Sequence, residues 1–579
     1  QRAEAASVND LLKLATGVDV RQRGGFGVQT DISINGGTFD QITILLNGVN
    51  ISSPQTGHNA ADFPVSLSDI ERIEVLEGAS ARVFGSSAFN GAINIVTRPD
   101  RESCVRLSAE GGSFGSFGGD FGVSLLTGNV SQKLSGGYTQ SDGGTKNSDF
   151  KRRRAYYTGS YTSRYADLVW QAGLSSQDYG ASTFYSAKFD NQWEATRRII
   201  TSAQADIKPF GDERLVITPQ AYWHRDVDHY QLTRGKEGAK NGENYHRTDV
   251  YGASLNAHAT WLLGKTAVGM DIRKEHILST AYGDVLPENE WKDIHGTDRR
   301  YDHRGDRTNT SLFLEHNVIL GGFTLSAGVL ANRNTGLDGD FRFYPGVDLS
   351  YRPNEMWKFY ASWNKALRVP TYTDLYTSNS VQQGDTGLRP ERTSTFKAGT
   401  RFRTHGVEAV VSGFYSKGND IIDWVYETEE SRKYHAMNIG KLDNMGYSVD
   451  ATLNMTELIP GSFVTRIKAG YARIHQRHTT EQPVYRSLYA LEYLRHKATF
   501  QLDHRIWSRL SASWAVRWQE RMNHYEPYTK VDCKLQWTAP TYSLYVKADN
   551  ITNHRYYDLG GVRQPGLWIM AGGSVKIGL

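Results

Sequence analysis

The sequence predicts a transmembrane β-barrel of about 22 antiparallel strands, with a small N-terminal α/β domain inside its lumen. Three observations carry that expectation. Aromatic residues make up 12% of the 579 positions and glycine occurs 57 times, a share above the roughly 7% of an ordinary soluble domain. No uninterrupted apolar run reaches about 18 residues, so helical membrane spans are excluded. From about residue 103 to the end, apolar and polar side chains alternate, the pattern of strands with two different faces.

Composition narrows the class further. Hydrophobic residues are only 39% and mean hydropathy is −0.52, values that suggest a soluble protein. A barrel reconciles them, because half of each strand faces a wet lumen and only the other half must suit lipid. Aromatic content this high argues against disorder. Lys and Arg number 66 against 62 Asp and Glu, a formal net charge of +4. Spread over this length, that charge makes no field suited to nucleic acid. The single basic run, Lys151–Arg154, reads as a solvated loop or turn, with contact to anionic lipid headgroups as the alternative. Two cysteines exclude a disulfide-dense scaffold. Cys104 falls on the polar face of the first barrel strand and Cys533 on an apolar face, so a bridge between them is not expected.

The N-terminal domain is expected over 1–99 and the barrel over 100–579. Ser7-Val8-Asn9-Asp10 resembles a capping box, and Leu11, Leu12, Leu14 and Ala15 continue a helix over 8–15 that Gly17 stops. Strand-like runs follow at Asp31–Ile34, Ile42–Leu46, Ile70–Leu76 and Ala92–Thr97, separated by glycine-rich turns. The chain opens at Gln1 with no Met and no signal peptide, so a longer precursor is expected.

In the barrel, Leu215, Ile217, Pro219, Ala221 and Trp223 alternate with Val216, Thr218, Gln220, Tyr222 and His224. Comparable stripes run through Phe323–Asn332, Trp357–Asn364, Leu510–Gln519, Val531–Thr538 and Ser574–Leu579. A soluble sandwich alternates too. Three details favour the barrel: charged and amide residues crowd the polar face, aromatics end several apolar stripes, and the pattern reaches the last residue. A final strand that closes on the first leaves no edge in lipid. About 20–22 residues per strand and connection give roughly 22 strands, a width that needs an obstruction in the lumen. Thr538-Ala539-Pro540 reads as a short periplasmic turn, and 232–247, 284–308 and 427–438 read as external loops.

The string from Ile70 to Gly78, continued by Phe84–Ala88 and Gly91–Thr97, resembles the plug signature of TonB-dependent outer-membrane transporters. Gly17–Val20, Leu46–Val49, Arg368–Thr371 with Asp374–Tyr376, Gly387–Glu391 and Asp549–Tyr556 extend the resemblance over essentially the whole chain. Within the family it looks most like the cobalamin (vitamin B12) receptor branch, on Ser7–Val20, the spacing from Gly24-Gly25 to Gly48-Val49, and Phe63-Pro64. The resemblance implies active import of a bulky scarce nutrient across the bacterial outer membrane, most similar to cobalamin uptake, with a ferric siderophore or another bulky solute as the alternative. It implies a TonB partner energised by ExbB and ExbD, contact with outer-membrane lipid and, in some branches, a surface lipoprotein over the mouth. The TonB box is expected upstream of residue 1. The chain departs from the family in having Asn35 before Gly36, Glu77 before Gly78 and Ala79 after it. The usual plug arginines are therefore missing, and Glu77 is expected to face a barrel arginine instead.

No catalytic constellation stands out, so an enzyme is not expected. Gly78–Gly91 lacks the Gly-Lys-Ser/Thr of a phosphate loop, and no His-Glu-x-x-His zinc motif exists. A bulky amphiphilic ligand needs a concave surface with aromatics and a few fixed polar groups. Two plug loops offer these: Gly24–Thr30 with Phe26 and Gln29, and Asn50–Ala60 with Ser52, Ser53, Gln55, Thr56, His58 and Asn59. By resemblance the second corresponds to the apical ligand-contacting loop of cobalamin receptors, although ordinary plug turns would read the same. Phe184 and Tyr185 are added as caps from an external loop. No resident cofactor is expected. Calcium needs about 6–8 oxygen ligands, and Asp178, Asp190, Asp226 and Asp228 are too few to predict it.

Overall fold

The computed structural model describes residues 7–22, 24–59, 62–77, 89–97, 102–183, 189–522, 525–559 and 562–579. The helix α1 (Val8–Lys13) begins at Ser7, whose hydroxyl accepts from Asp10 N–H while the Asp10 carboxylate accepts from Ser7 N–H at 3.0 Å. That reciprocal cap satisfies two N–H groups the first turn would leave bare. Strands β1 (Val18–Gln22) and β2 (Thr30–Ile34) form an antiparallel pair. Strands β3 (Thr43–Leu46), β4 (Val49–Asn50), β5 (Ile70–Leu76) and β6 (Ala92–Thr97) form a sheet in the order β4-β3-β6-β5. Asn47 and Gly48, at φ 51° and 78°, make the tight β3–β4 hairpin, a turn that requires left-handed backbone at both positions. The core of this domain is aliphatic: Leu12, Val20, Ile32, Ile44, Leu46, Ile93 and Ile95 pack together out of solvent.

Around it stand 22 antiparallel strands in one closed barrel. The first, β7 (Cys104–Gly112), pairs with the last, Trp568–Gly578, from Cys104↔Gly578 to Gly112↔Met570. The ladder therefore has no free edge, as a hydrocarbon surround requires. Apolar side chains point out: Leu107, Leu255, Leu314 and Leu325 are exposed on the wall. Trp261, Phe323, Tyr351, Trp357 and Tyr542 ring the rim of short turns, with Phe323 and Tyr351 stacked at 4.2 Å. Cys104 is buried, Cys533 is half-buried, and neither forms a disulfide.

Several expectations are corrected. The helix ends at Lys13, two residues earlier than expected, with Leu14 as its C-cap. The pair Val18–Gln22 was not expected as a strand. Lys151–Arg154 is neither loop nor turn but part of the strand Phe150–Thr162. The external loops are shorter than 232–247, 284–308 and 427–438 suggest, because strands reach into them at Glu243, His303 and Tyr434. Beyond the lipid both faces of a strand are wet, so alternation fades while pairing continues.

Candidate functional site: the outer face of the plug

The two candidate loops lie at the long-loop end of the barrel. Phe26 packs against Phe150 at 5.3 Å and Trp568 at 4.9 Å. Beside it a Cβ on Gly27, at φ 90°, would meet the Phe150 ring at 2.5 Å, so only glycine fits there. Gln29 is 3% exposed, and neither end of its amide has a hydrogen-bond partner among the described residues.

In the second loop most polar groups are already engaged. The Ser52 hydroxyl accepts from Ile44 N–H at 2.9 Å, and the Ser53 hydroxyl from Gln55 N–H at 3.3 Å. Gln55 Nε2 donates to Asp228 on the barrel at 2.7 Å, while its Oε1 has no partner. The Thr56 hydroxyl accepts from His58 N–H, and His58 Nδ1 lies 2.7 Å from Asp31 Oδ1. The imidazole stacks on Phe39 at 4.0 Å. Ser53, Gln55, Thr56 and His58 are all buried. Asn59 closes the short helical turn Gly57–Asn59. Phe184 and Tyr185 lie outside the described residues.

What covers this loop is a segment that sequence reasoning quoted only as a family string. After the strand Trp357–Arg368, the chain folds over the plug: Tyr372 N–H donates to Pro54 O at 3.1 Å and Thr373 N–H to Gln55 O at 3.0 Å. Arg307 donates to Pro370 O at 2.7 Å and sits 4.7 Å over the Tyr372 ring. Arg273 donates to Ser52 O at 2.6 Å. The strap is thus bound to the apical loop through main-chain groups, independent of that loop's side chains.

Beneath the strap one guanidinium collects three carboxylates. Arg368 Nε meets Glu391 at 2.5 Å, its Nη1 meets Asp374 at 3.0 Å, and Asp40 of the plug stands 3.9 Å away. Asp40 also accepts from Gly57 N–H at 2.6 Å. Burial, then the facing Asp374 carboxylate, push the Asp40 carboxyl up to about 8. Arg368, Asp374 and Glu391 come from three separate strings of the resemblance, and the fold brings them to one point.

Elsewhere the plug is tied to the wall by buried polar contacts. Arg521 grips Asp19 with two parallel bonds at 2.7 and 2.8 Å. Burial alone would raise the Asp19 carboxyl, but Arg521 and Arg21 more than offset it and hold it well below the usual range. Lys497 Nζ donates to Ala15 O and Val18 O at 2.6 and 2.7 Å. Glu77 meets Lys397 of the barrel and takes a bond from Asn35. The expected partner was an arginine; the sign of the pair is as expected, and the cation is a lysine. Asp226 is taken by Arg198 at 2.5 Å and His224, and Asp190 by Lys146.

Comparison with known proteins agrees with this architecture. Residues 1–92 match the TonB-dependent receptor plug domain, and 105–551 match the TonB-dependent receptor-like β-barrel. The chain belongs to the TonB-dependent receptor family. The family is one of receptors and transporters, and its large barrel is characteristic of the bacterial outer membrane. Among solved structures it is similar to the ferric enterobactin receptor PfeA of Pseudomonas aeruginosa, at 16% identity and TM-score 0.77, covering 100% of this chain and 96% of that one. It is similar also to the iron transporter FrpB of Neisseria meningitidis, at 16% identity and TM-score 0.79, covering 99% and 98%. The siderophore receptor PirA of P. aeruginosa matches at 16% and 0.73, covering 100% and 97%. At these identities the likeness is one of fold. In this family the short-turn rim faces the periplasm and the long loops face outward.

Proposed function

We propose that this chain imports a bulky ferric chelate of the siderophore class, with TonB supplying the energy from the inner membrane. The observation that carries the reading is the sealed lumen. A barrel of 22 strands is wide enough for such a solute, yet the plug fills it and is pinned by Asp19–Arg521, Glu77–Lys397 and the Arg368 cluster. Passage then requires work on the plug, and no ATP or steep ion gradient exists at the outer membrane. The iron-chelate cargo is supported by the similar structures, whose names are those of a ferric enterobactin receptor, an iron transporter and a siderophore receptor.

Cobalamin is the second reading, favoured by the resemblance of Ser7–Val20, the glycine spacing and the Asn50–Ala60 loop to the cobalamin receptor branch. The two are separated by measuring equilibrium binding of ferric enterobactin and cyanocobalamin to the purified chain, alongside growth of a deletion strain under iron or cobalamin limitation. Binding of the iron chelate and an iron-limited growth defect are expected. Tight cyanocobalamin binding with a cobalamin-limited defect would reverse the assignment.

A further inference from the structure

The basic run Lys151–Arg154 lies in the strand Phe150–Thr162 and divides between two environments. Arg152 and Arg154 turn into the lumen, where Asp62 stands 4.0 Å from the first and Asp120 2.9 Å from the second. Arg153 turns the other way, onto the lipid face of the wall, and is exposed. It has no carboxylate partner among the described residues; its guanidinium lies 5.7 Å from the Tyr138 ring. The same division recurs two strands on. Arg198 is buried and held by Asp226, whereas Arg197 is exposed on the lipid face and has no ion pair among the described residues.

Sheet register sets these two arginines in one row. Arg153 pairs with Ser176, and Ser176 with Arg197. Two strand spacings of about 4.8 Å put their Cα atoms roughly 10 Å apart, a gap that two long side chains can close over the small Ser176. The row beneath, Ala155, Leu174 and Ile199, is apolar, and Leu174 is 48% exposed. The row above sets Asp178 opposite Lys151, one charge of each sign. Further along, the arginine row continues through Val227 to Arg247, but that guanidinium lies 3.4 Å from Asp249, which Arg225 also holds. Arg153 stands nine residues before the end of its strand, and Arg197 ten before the end of Gln192–Ile207. At about 3.3 Å per residue and a tilt near 40°, both lie roughly 23–25 Å above the short-turn rim, at the top of an apolar band of about 25 Å. Other strands mark the same level: Arg225 lies over Trp223 at 5.4 Å, and Lys365 over Trp363 and Lys417 over Tyr415 at 5.9 Å each. There long basic side chains reach out of hydrocarbon toward charged headgroups.

We infer that Arg153, Ser176 and Arg197 form a site for the phosphomonoester headgroup of an outer-leaflet lipid. A phosphomonoester carries a charge of about −1.5 to −2 at neutral pH, which two guanidiniums match. Each guanidinium can give a forked pair of N–H bonds to phosphate oxygens, and the Ser176 hydroxyl can donate a further one. A phosphodiester carries a single charge and leaves one arginine unmatched. Ala155, Leu174 and Ile199 lie on the hydrocarbon side of the row, against the acyl chains, so the source of the phosphate is a lipid rather than the free ion. The site is on the outside of the wall; it goes beyond the importer reading and does not depend on the cargo.

The test is binding of fluorophore-labelled lipid A, a diphosphorylated and acylated disaccharide, to the full purified chain in neutral detergent. Wild type is expected to bind it with an affinity that falls as salt rises. The double variant Arg153→Gln, Arg197→Gln is expected to bind about tenfold or more weakly. Arg153→Lys with Arg197→Lys should fall between the two, because a lysine cannot fork. The control is Lys274→Gln with Arg473→Gln. Both are exposed cations at the same level, ten and nine residues from the short-turn ends of their strands. Their row neighbours are Tyr251 and Thr308, and Tyr447 and His496, with no second arginine or lysine. The control pair is expected to leave the affinity unchanged. On wild type itself, the same lipid stripped of phosphate should bind no better than intact lipid A binds the Gln pair, a comparison that needs no variant to fold. Millimolar inorganic phosphate should not displace lipid A. Equal binding by wild type and the Gln pair, an equal loss in the control pair, or full binding of the phosphate-free lipid overturns the proposal. Displacement by inorganic phosphate overturns the choice of a lipid, and with it the site as stated.

Discussion

The plug and the barrel wall bury opposite kinds of residue. In the plug, Ile32, Ile44, Leu45 and Ile93 are out of solvent and the charged groups lie at its boundary. In the wall the order is inverted: Leu255 and Leu314 are 57% and 50% exposed, whereas Arg198 is 1% exposed. The difference shows that each surface answers to its own solvent. The plug folds as a small aqueous domain by burying apolar area. The wall has lipid outside, so its polar groups must find partners inside, and the plug supplies them. Their interface is therefore polar, specific and breakable, as a seal that must open requires.

The sharpest way to break this contrast is at a buried charge between the two regions. Asp19→Ala leaves Arg521 and Arg21 without their shared carboxylate, at a cost of about 3–5 kcal/mol, and plug unfolding followed by limited proteolysis should report it. Because the Asp19 carboxyl is held below its ordinary 3.8, the wild-type contribution is complete above that value and is lost as pH falls through and below it. Next comes the lipid face, where Leu314→Arg should cost about 2–4 kcal/mol in barrel unfolding from lipid vesicles and leave plug proteolysis unchanged. A polar substitution of similar size at a lumen position of the wall should cost less. Smaller still is Glu77→Lys, which sets like charges together at Lys397 and should loosen the plug by about 1 kcal/mol. Adding Lys397→Glu should restore protease resistance, and failure of that rescue would count against the pair. The smallest effect of a substitution at neutral pH is expected at Asp40, whose raised carboxyl already holds its proton there. Its folded-state value of about 8 lies above 3.8, so the native state holds the proton more tightly and the contact weakens as pH rises from about 4 towards 8. Asp40→Asn should flatten that slope; an unchanged pH profile of plug release would contradict it.

Local patterns were readable where one face of a strand differs from the other. The bounds Ile70–Leu76 and Ala92–Thr97 follow from apolar runs between turn residues, and the observed strands coincide with them. The Ser7–Asp10 cap rests on neighbours in sequence, so it too was legible. The strand Val18–Gln22 was not, because Asp19 and Arg21 signal exposure in a short segment whose polar side actually faces Arg521. Lys151–Arg154 misled for the same reason: Arg152 and Arg154 point at the plug and Lys151 and Arg153 away from it.

The candidate site shows the same limit. The loop Asn50–Ala60 was singled out for its hydroxyl, amide and imidazole groups, and the fold binds several of them to Ile44, Asp228 and Asp31 under a strap from residues 370–373. Gln29, which the sequence offers only for its place in a glycine-rich loop, has an amide with no partner among the described residues. No sequence signal distinguishes a side chain that binds its own protein from one that waits for a ligand.

The sequence by itself determined the barrel, its approximate strand number and its closure, because a period of two is a local property repeated along the chain. It also determined, through resemblance, that an N-terminal domain forms the plug. Only the tertiary structure decided which charges lock that plug and which loop lies over it. Those depend on contacts such as Asp19 with Arg521 and Asp40 with Arg368. Their partners lie hundreds of positions apart, and nothing short of barrel closure brings them within reach.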